Sequence, residues 1–187
     1  AIDQGTTGST IALMDTDGRL LTSVNHEFPQ VFPQPGWVEH DPESIWRSVL
    51  KGLSAIFSDT EHAVSQVSAI GITNQRETAV LWDSQTGQAV HNAIVWQCRR
   101  TTDVCEDLKA AGYEALIKAK SGLVLDPYFS ATKFKWILDN APTAKTLLAD
   151  GRLLAGTIDT YLMWRLSNGN VHKTDVSNAS RTSLMSL

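Results

Sequence analysis

Three short apolar runs separated by turn residues make up positions 1–28, and no other stretch restricts the fold so strongly. The runs are Ala1–Asp3, Thr10–Met14 and Leu20–Val24, with Gln4–Ser9 between the first two and Asp17-Gly18 between the last two. Asp-Gly between apolar runs signals a hairpin, because both residues accept the positive φ of a tight turn. The spacing therefore predicts three consecutive antiparallel strands.

Pro29, Pro33, Pro35 and Pro42, four of the six prolines, follow closely. Their fixed φ and missing N–H groups exclude a helix or a central strand there and leave a loop of fixed shape. Asp41 then offers an N-cap with Pro42 at the first helical position. Ile45, Trp46, Val49, Leu53, Ile56 and Phe57 recur at helical spacing, which predicts a helix over 42–58. Val67–Thr73 reads as a strand, and Ala79–Trp82 with the Thr86-Gly87 turn as a strand pair. Helical patterns return over 101–111, 113–120 and 130–139, the last closed by Pro142. Ile158, Tyr161, Leu162 and Leu166 fit a further helix before the Asn168-Gly169 turn. Strands first, then helix, strand and several helices, is the pattern of an α/β domain: a mixed sheet that opens with an antiparallel meander and is flanked by helices.

At about 150 residues per domain, the 187 residues suit one domain, or one with the beginning of another. Lys and Arg number 16 against 20 Asp and Glu, a formal net charge of −4, and no basic run is present. A nucleic-acid backbone or an anionic membrane surface needs a positive footprint, so neither is an expected partner. No apolar stretch approaches the roughly 18 residues of a membrane span and no signal-peptide pattern is present, which points to the cytoplasm. Asn178-Ala179-Ser180 is then a chance glycosylation sequon. Cys98 and Cys105 fit neither a redox pair nor a zinc knuckle, and His26, His40, His62, His91 and His172 lack ligand spacing. The first residues read as the last part of a strand, and the polar segment before Leu187 shows no capping signal, so truncation at both ends is expected.

Four places in the sequence carry candidate chemistry. In Asp3-Gln4-Gly5-Thr6-Thr7-Gly8-Ser9 the glycines let backbone approach a ligand, successive N–H groups can form an anion nest, and Thr6, Thr7 and Ser9 add hydroxyls. Phosphate suits such a turn, with Asp3 beside it to hold Mg²⁺ through water; a plain turn between strands is the competing reading. Gly71–Glu77 crowds polar residues after an apolar run. Arg76 and Glu77 can face one ligand only if the strand ends or bulges there, since neighbouring strand side chains point opposite ways. A donor fork beside an acceptor suits a polyhydroxylated substrate; a surface ion pair is the alternative. Trp96 lies at another strand end, and Tyr128 follows Asp126-Pro127; both are divided between substrate contact and packing. No nucleophile elbow, Walker loop or dinucleotide fingerprint is present.

Taken in order, DQGTTGST, PGWVEHDP, GITNQRE, NAIVWQCRR, GLVLDPYFSATKFKWILDN and GTIDTYLMWRLSNG closely resemble the carbohydrate kinase family. NQRE followed by VWQCRR is similar to the members that phosphorylate glycerol rather than xylulose, gluconate or ribulose. The resemblance spans essentially the whole chain. It implies an actin-like, ribonuclease-H-like fold of two domains with ATP in the cleft between them. It also implies transfer of the γ-phosphoryl group of MgATP to glycerol, giving sn-glycerol 3-phosphate and ADP.

By motif matching, Arg76, Glu77, Trp96 and Tyr128 line the glycerol pocket, Thr6, Thr7 and Gly8 face the nucleotide phosphates, and Asp3 serves Mg²⁺. The chain carries Gly8, Ser9 and Thr10 where such members commonly have two serines and an arginine, which removes one cationic contact to phosphate. The family's catalytic base, an Asp in a later Asp-Gln pair, and the nucleotide-binding second domain are expected beyond Leu187. Residues 1–187 are then an incomplete substrate-binding domain, inactive alone, and the full-length protein is expected to be a dimer or tetramer. Three rival readings remain at this point: a kinase of another polyol in the same family, a non-catalytic polyol-binding fragment, and a ribonuclease-H-type nuclease. A charge of −4 argues against the last.

Overall fold

The structure, a computed structural model, describes residues 1–58 and 63–187. His62, one of the five histidines considered above, lies outside the described residues.

The expected meander forms. Strand β1 (Ile2–Gln4) pairs antiparallel with β2 (Gly8–Met14), which pairs antiparallel with β3 (Leu20–Glu27). At the hairpin the Asp15 carboxylate accepts from the N–H groups of Asp17 and Arg19 at 3.0 and 2.8 Å, and Gly18 takes a φ of 80°. The proline loop closes on β4 (Glu39–His40), with Val31 bridging Glu39.

Helix α1 (Pro42–Ser58) has the bounds its periodicity predicts. Asp41 caps it, accepting from the N–H groups of Glu43 and Ser44 at 3.1 Å each. Its buried stripe of Ile45, Val49 and Ile56 lies against Ile2 and Ile11 of the sheet, each such side chain contributing about 1.5–3 kcal/mol when fully covered. Gly52 is where helix and sheet come closest: a Cβ there would sit 2.3 Å from Ile11 Cγ1.

The chain then enters β5 (Ile72–Asn74), parallel to β1, completing a four-stranded sheet in the order β3-β2-β1-β5. The strand expected over Val67–Thr73 is therefore shorter. Residues 67–71 run exposed, with Val67 38% and Ile70 52% accessible, and β-branched residues without a neighbouring ladder gain nothing from extended pairing.

Strand β6 (Val80–Asp83) corrects a second expectation. The Thr86-Gly87 turn forms, with Gly87 at φ 73° and Thr86 donating to Asp83, but the returning chain contributes only an isolated Trp82–Ala89 bridge. Beyond it, β7 (Ala93–Ile94) pairs with β4. Helices α2 (Thr102–Ala110), α3 (Glu114–Ser121) and α4 (Ser130–Asn140) match their predicted patterns. They are followed by α5 (Ala144–Ala149), which the sequence reading omits. The regular partner of β6 is β8 (Leu153–Gly156), antiparallel and seventy residues away in sequence. Alternation along β6 sends Val80 and Trp82 into the core with Ile45, Tyr161 and Leu162, and Leu81 into a second cluster with Ile94, Ile137 and Ala144.

Helix α6 (Ile158–Leu166) then covers Trp82, whose ring meets Tyr161 edge-on at 5.3 Å. The last element is α7 (Val176–Ala179), with Asp175 as its N-cap accepting from the Asn178 N–H at 2.7 Å. Among the described residues no helix is long and apolar enough to cross a membrane.

Candidate functional site

Parallel pairing puts the C-terminal ends of β1 and β5 at the same edge of the sheet, with Gln4 opposite Asn74. The ladder continues one step past both strands, where Gln75 N–H donates to Gln4 O at 3.1 Å. The Gly5–Thr7 turn and the Gln75–Glu77 turn therefore emerge side by side, at the strand ends where open α/β sheets take their ligands. Between them is a cavity of about 250 Å³. Asp3 lines it from β1 and Thr6 from the turn that follows, Arg76 and Glu77 from the second turn, and Trp96 and Tyr128 from the loops after β7 and before α4. The volume lies below the roughly 300–1,000 Å³ of sites for drug-sized molecules, which favours a small ligand.

Strand β5 ends at Asn74, the condition under which Arg76 and Glu77 can share a ligand. Glu77 is buried, and its Oε1 accepts from Arg181 Nε at 2.7 Å. Arg181 lies in turn over the rings of Phe129 and Tyr128, at 4.9 and 5.5 Å. Arg76 is exposed and makes no ion pair among the described residues, so its donor fork is open. Trp96 Nε1 donates to Thr6 Oγ1 at 3.0 Å, and its ring meets Tyr128 edge-on at 5.4 Å. Tyr128 is positioned by Asp126, whose carboxylate accepts from the Tyr128 N–H at 2.8 Å and from Arg99 at 2.9 Å.

Thr7 and Gly8 stand outside the cavity. Thr7 is exposed at the tip of the turn, and its carbonyl accepts from Phe28 N–H at 3.3 Å. Gly8 is buried at the start of β2, where a Cβ would approach His26 O to 3.0 Å, a tight fit against β3. The Thr10 hydroxyl accepts from Asn25 at 2.9 Å.

Beneath the first turn lies a relay that sequence reading missed. Gln30 Nε2 donates to Thr6 O at 2.9 Å, which leaves Gln30 Oε1 to accept from His40 Nε2 at 2.5 Å. His40 Nδ1 then accepts from Gln75 Nε2 at 3.2 Å, and Gln75 also donates to Gln4 Oε1 at 2.9 Å. Every role is satisfied by a neutral imidazole, and burial lowers the His40 pKa to about 4. The unfolded chain, with a histidine pKa of 6.5, protonates first on acidification, so this stabilisation is complete above about pH 6.5 and is lost as pH falls towards 4. In denaturant unfolding, the stability lost between pH 7.5 and 4.5 should be about 2–3 kcal/mol greater for wild type than for His40→Gln. Equal losses would mean that His40 is not held neutral.

A larger cavity, about 730 Å³, lies between the N-terminal end of α1, the Ser84–Asn92 turn and α6. Its cation is committed, since Arg165 donates to Glu43 at 2.7 Å and to Tyr161 Oη at 2.5 Å, and its aromatic residues Tyr161 and Trp164 are 1% and 8% exposed. The smaller cavity differs in bringing together a free guanidinium, a buried carboxylate and two aromatic walls.

The family model for the N-terminal domain of the FGGY family of carbohydrate kinases matches residues 1–187, the whole chain. The chain belongs to this family. A glycerol kinase from Symbiobacterium thermophilum is 56% identical over all 187 residues, which span 38% of that relative's length. Among solved structures, glycerol kinase from Plasmodium falciparum with ADP superposes at a TM-score of 0.91 with 36% identity, covering 100% of this chain and 37% of that one. Gluconate kinase from Lactobacillus acidophilus shares the fold at a TM-score of 0.85 and 24% identity, covering 100% and 36%. The architecture is accordingly the ribonuclease-H-like, actin-like α/β arrangement of the FGGY kinases, as the sequence resemblance implied.

Two FGGY-domain residues at this site, Arg181 and Lys133, escape a reading based on motifs at strand tips. Arg181 lies 104 residues from Glu77 and carries no local signal. Lys133 does carry one: with Ser130 and Ile137 it falls on the buried stripe of α4, where a lysine is out of place unless its ammonium has partners.

Proposed function

We propose that residues 1–187 form the substrate-binding part of an ATP-dependent glycerol kinase, which transfers the γ-phosphoryl group of MgATP to a terminal hydroxyl of glycerol. The observation that carries this reading is the meeting of Arg76, Glu77, Trp96 and Tyr128 around one small cavity beside the Gly5–Thr7 turn. Glycerol offers three hydroxyls that each give and take a hydrogen bond, plus a short carbon edge. Arg76 and Tyr128 supply donors, Glu77 an acceptor, and Trp96 an apolar face for that edge. The Arg181 bond holds the Glu77 carboxylate in one orientation while leaving it further lone pairs.

Thr6 and Thr7, with Gly8, are the side on which nucleotide phosphates are expected. Thr6, bonded to Trp96, couples that turn to the polyol wall. Asp3 suits Mg²⁺: it is exposed at the cavity rim, and no group of three or more His, Cys, Asp or Glu side chains forms a cage among the described residues. An ion there would rest on one protein carboxylate, phosphate and water, the usual habit of Mg²⁺. When bound, MgATP supplies the phosphoryl group and the cation that offsets its charge; the residues here orient the accepting hydroxyl, which is most of what phosphoryl transfer asks of a protein. The nucleotide-binding domain, the catalytic base and a homo-oligomeric, cytoplasmic setting belong to the same proposal.

A coupled ADP-release assay on a full-length protein carrying this domain, with glycerol, xylulose and gluconate compared, tests it. Glycerol is expected to give a kcat/KM at least about 10²-fold above the others, since a mismatched polyol leaves buried polar groups unpaired. A preference for either sugar substrate would overturn the assignment.

A further inference from the structure

Lys133 is completely buried, yet it sits in the first turns of α4 rather than at the surface. Helical side chains lean towards the N-terminus, so its ammonium reaches back past the start of the helix. There Nζ donates to the carbonyl oxygens of Tyr128 and Phe129, the latter at 3.2 Å, and to that of Glu77 at 3.5 Å. Three protons meet three acceptors. Ser130 Oγ adds a second donor to Glu77 O at 3.1 Å. Tyr128 and Glu77 belong to the polyol wall but come from unrelated parts of the chain, the loop before α4 and the turn after β5. Burial brings the Lys133 pKa down to about 7.

Resting on the polyol-kinase reading above, we infer that Lys133 is a positioning residue that clamps the Glu77 and Tyr128 backbones together and so sets the spacing between the acceptor and donor that grip the substrate. It touches neither substrate nor nucleotide. Removing the ammonium lets the loop before α4 drift from the β5 turn, and the loss falls on polyol recognition rather than on the phosphate side.

The test uses Lys133→Met, which keeps length and volume, in a full-length protein. A fall of about 30-fold in kcat/KM for glycerol is expected, with KM for ATP within twofold, because only one wall of the site is disturbed. Since Lys133 acts through Glu77, adding Lys133→Met to Glu77→Gln should cost less than about threefold more. A packing role would instead lower the melting temperature and act additively with Glu77→Gln. Ser130→Ala, a milder cut at the same Glu77 carbonyl, should raise KM for glycerol about threefold, which keeps the idea testable if Lys133→Met does not fold.

A folded Lys133→Met enzyme with unchanged glycerol kcat/KM overturns the inference while leaving the kinase assignment intact. So does full additivity with Glu77→Gln, or, where Lys133→Met fails to fold, an unaffected Ser130→Ala. A wild-type protein that does not phosphorylate glycerol overturns both.

Discussion

Glu77→Gln in a full-length protein should lower kcat/KM for glycerol roughly a hundredfold, because it strikes a partly buried charge pair and the substrate contact together. Glutamine preserves the shape of the side chain but turns one carboxylate oxygen into an amide that can only donate. Either that group faces Arg181 Nε, now 2.7 Å from an acceptor, and two donors oppose each other, or it faces the cavity and the polyol loses its acceptor. Both arrangements strand a polar group at a pair in which Glu77 is covered and Arg181 is 28% exposed, and losing a hydrogen bond to a charged group costs about 1.5–3 kcal/mol. Steady-state kinetics with glycerol varied and ATP saturating measures the effect. Kinetics close to wild type, together with a lowered unfolding midpoint, would reduce the Glu77–Arg181 pair to a structural strut and remove the acceptor from the proposed site.

The 187 residues alone should release ADP from ATP no faster with glycerol than without it. In the proposed enzyme this cavity supplies only one wall of the cleft, and its two carboxylates already have parts to play: Glu77 is engaged by Arg181, and Asp3 is proposed to serve the cation. Neither is positioned and free to take the proton of a terminal hydroxyl. Holding two reactants in line accounts for about 7–11 kcal/mol of a barrier, and a single wall can align only one of them. A coupled assay with and without glycerol decides the matter, and glycerol-dependent turnover by this chain would mean that the division of labour proposed here is wrong.

Local chemistry made much of the fold legible. Asp17-Gly18 announces its hairpin because the turn is satisfied within five residues, and Asp41-Pro42 announces α1 because cap and periodicity agree. What local reading misassigned depends on distant partners. The partner of β6 is β8, and nothing in residues 80–90 reveals that the returning chain will be displaced by residues 153–156. Val67–Ile70 has strand composition but no neighbour to bond. The site divides in the same way. Arg76, Glu77 and Trp96 stand out as polar or aromatic residues at strand tips, whereas the His40 relay and Arg181 are joined by contacts spanning 35 and 104 residues.

Because β1 and β5 lie side by side and their following turns are laced together through Gln4, Gln75, His40 and Gln30, the floor of the cavity is a single rigid plate. Neither turn can swing without breaking that lacing, so the surface meeting the ligand is already shaped before anything arrives. In the proposed kinase, any gating of the site then falls to whatever stands opposite this plate, not to rearrangement of the β1 and β5 turns.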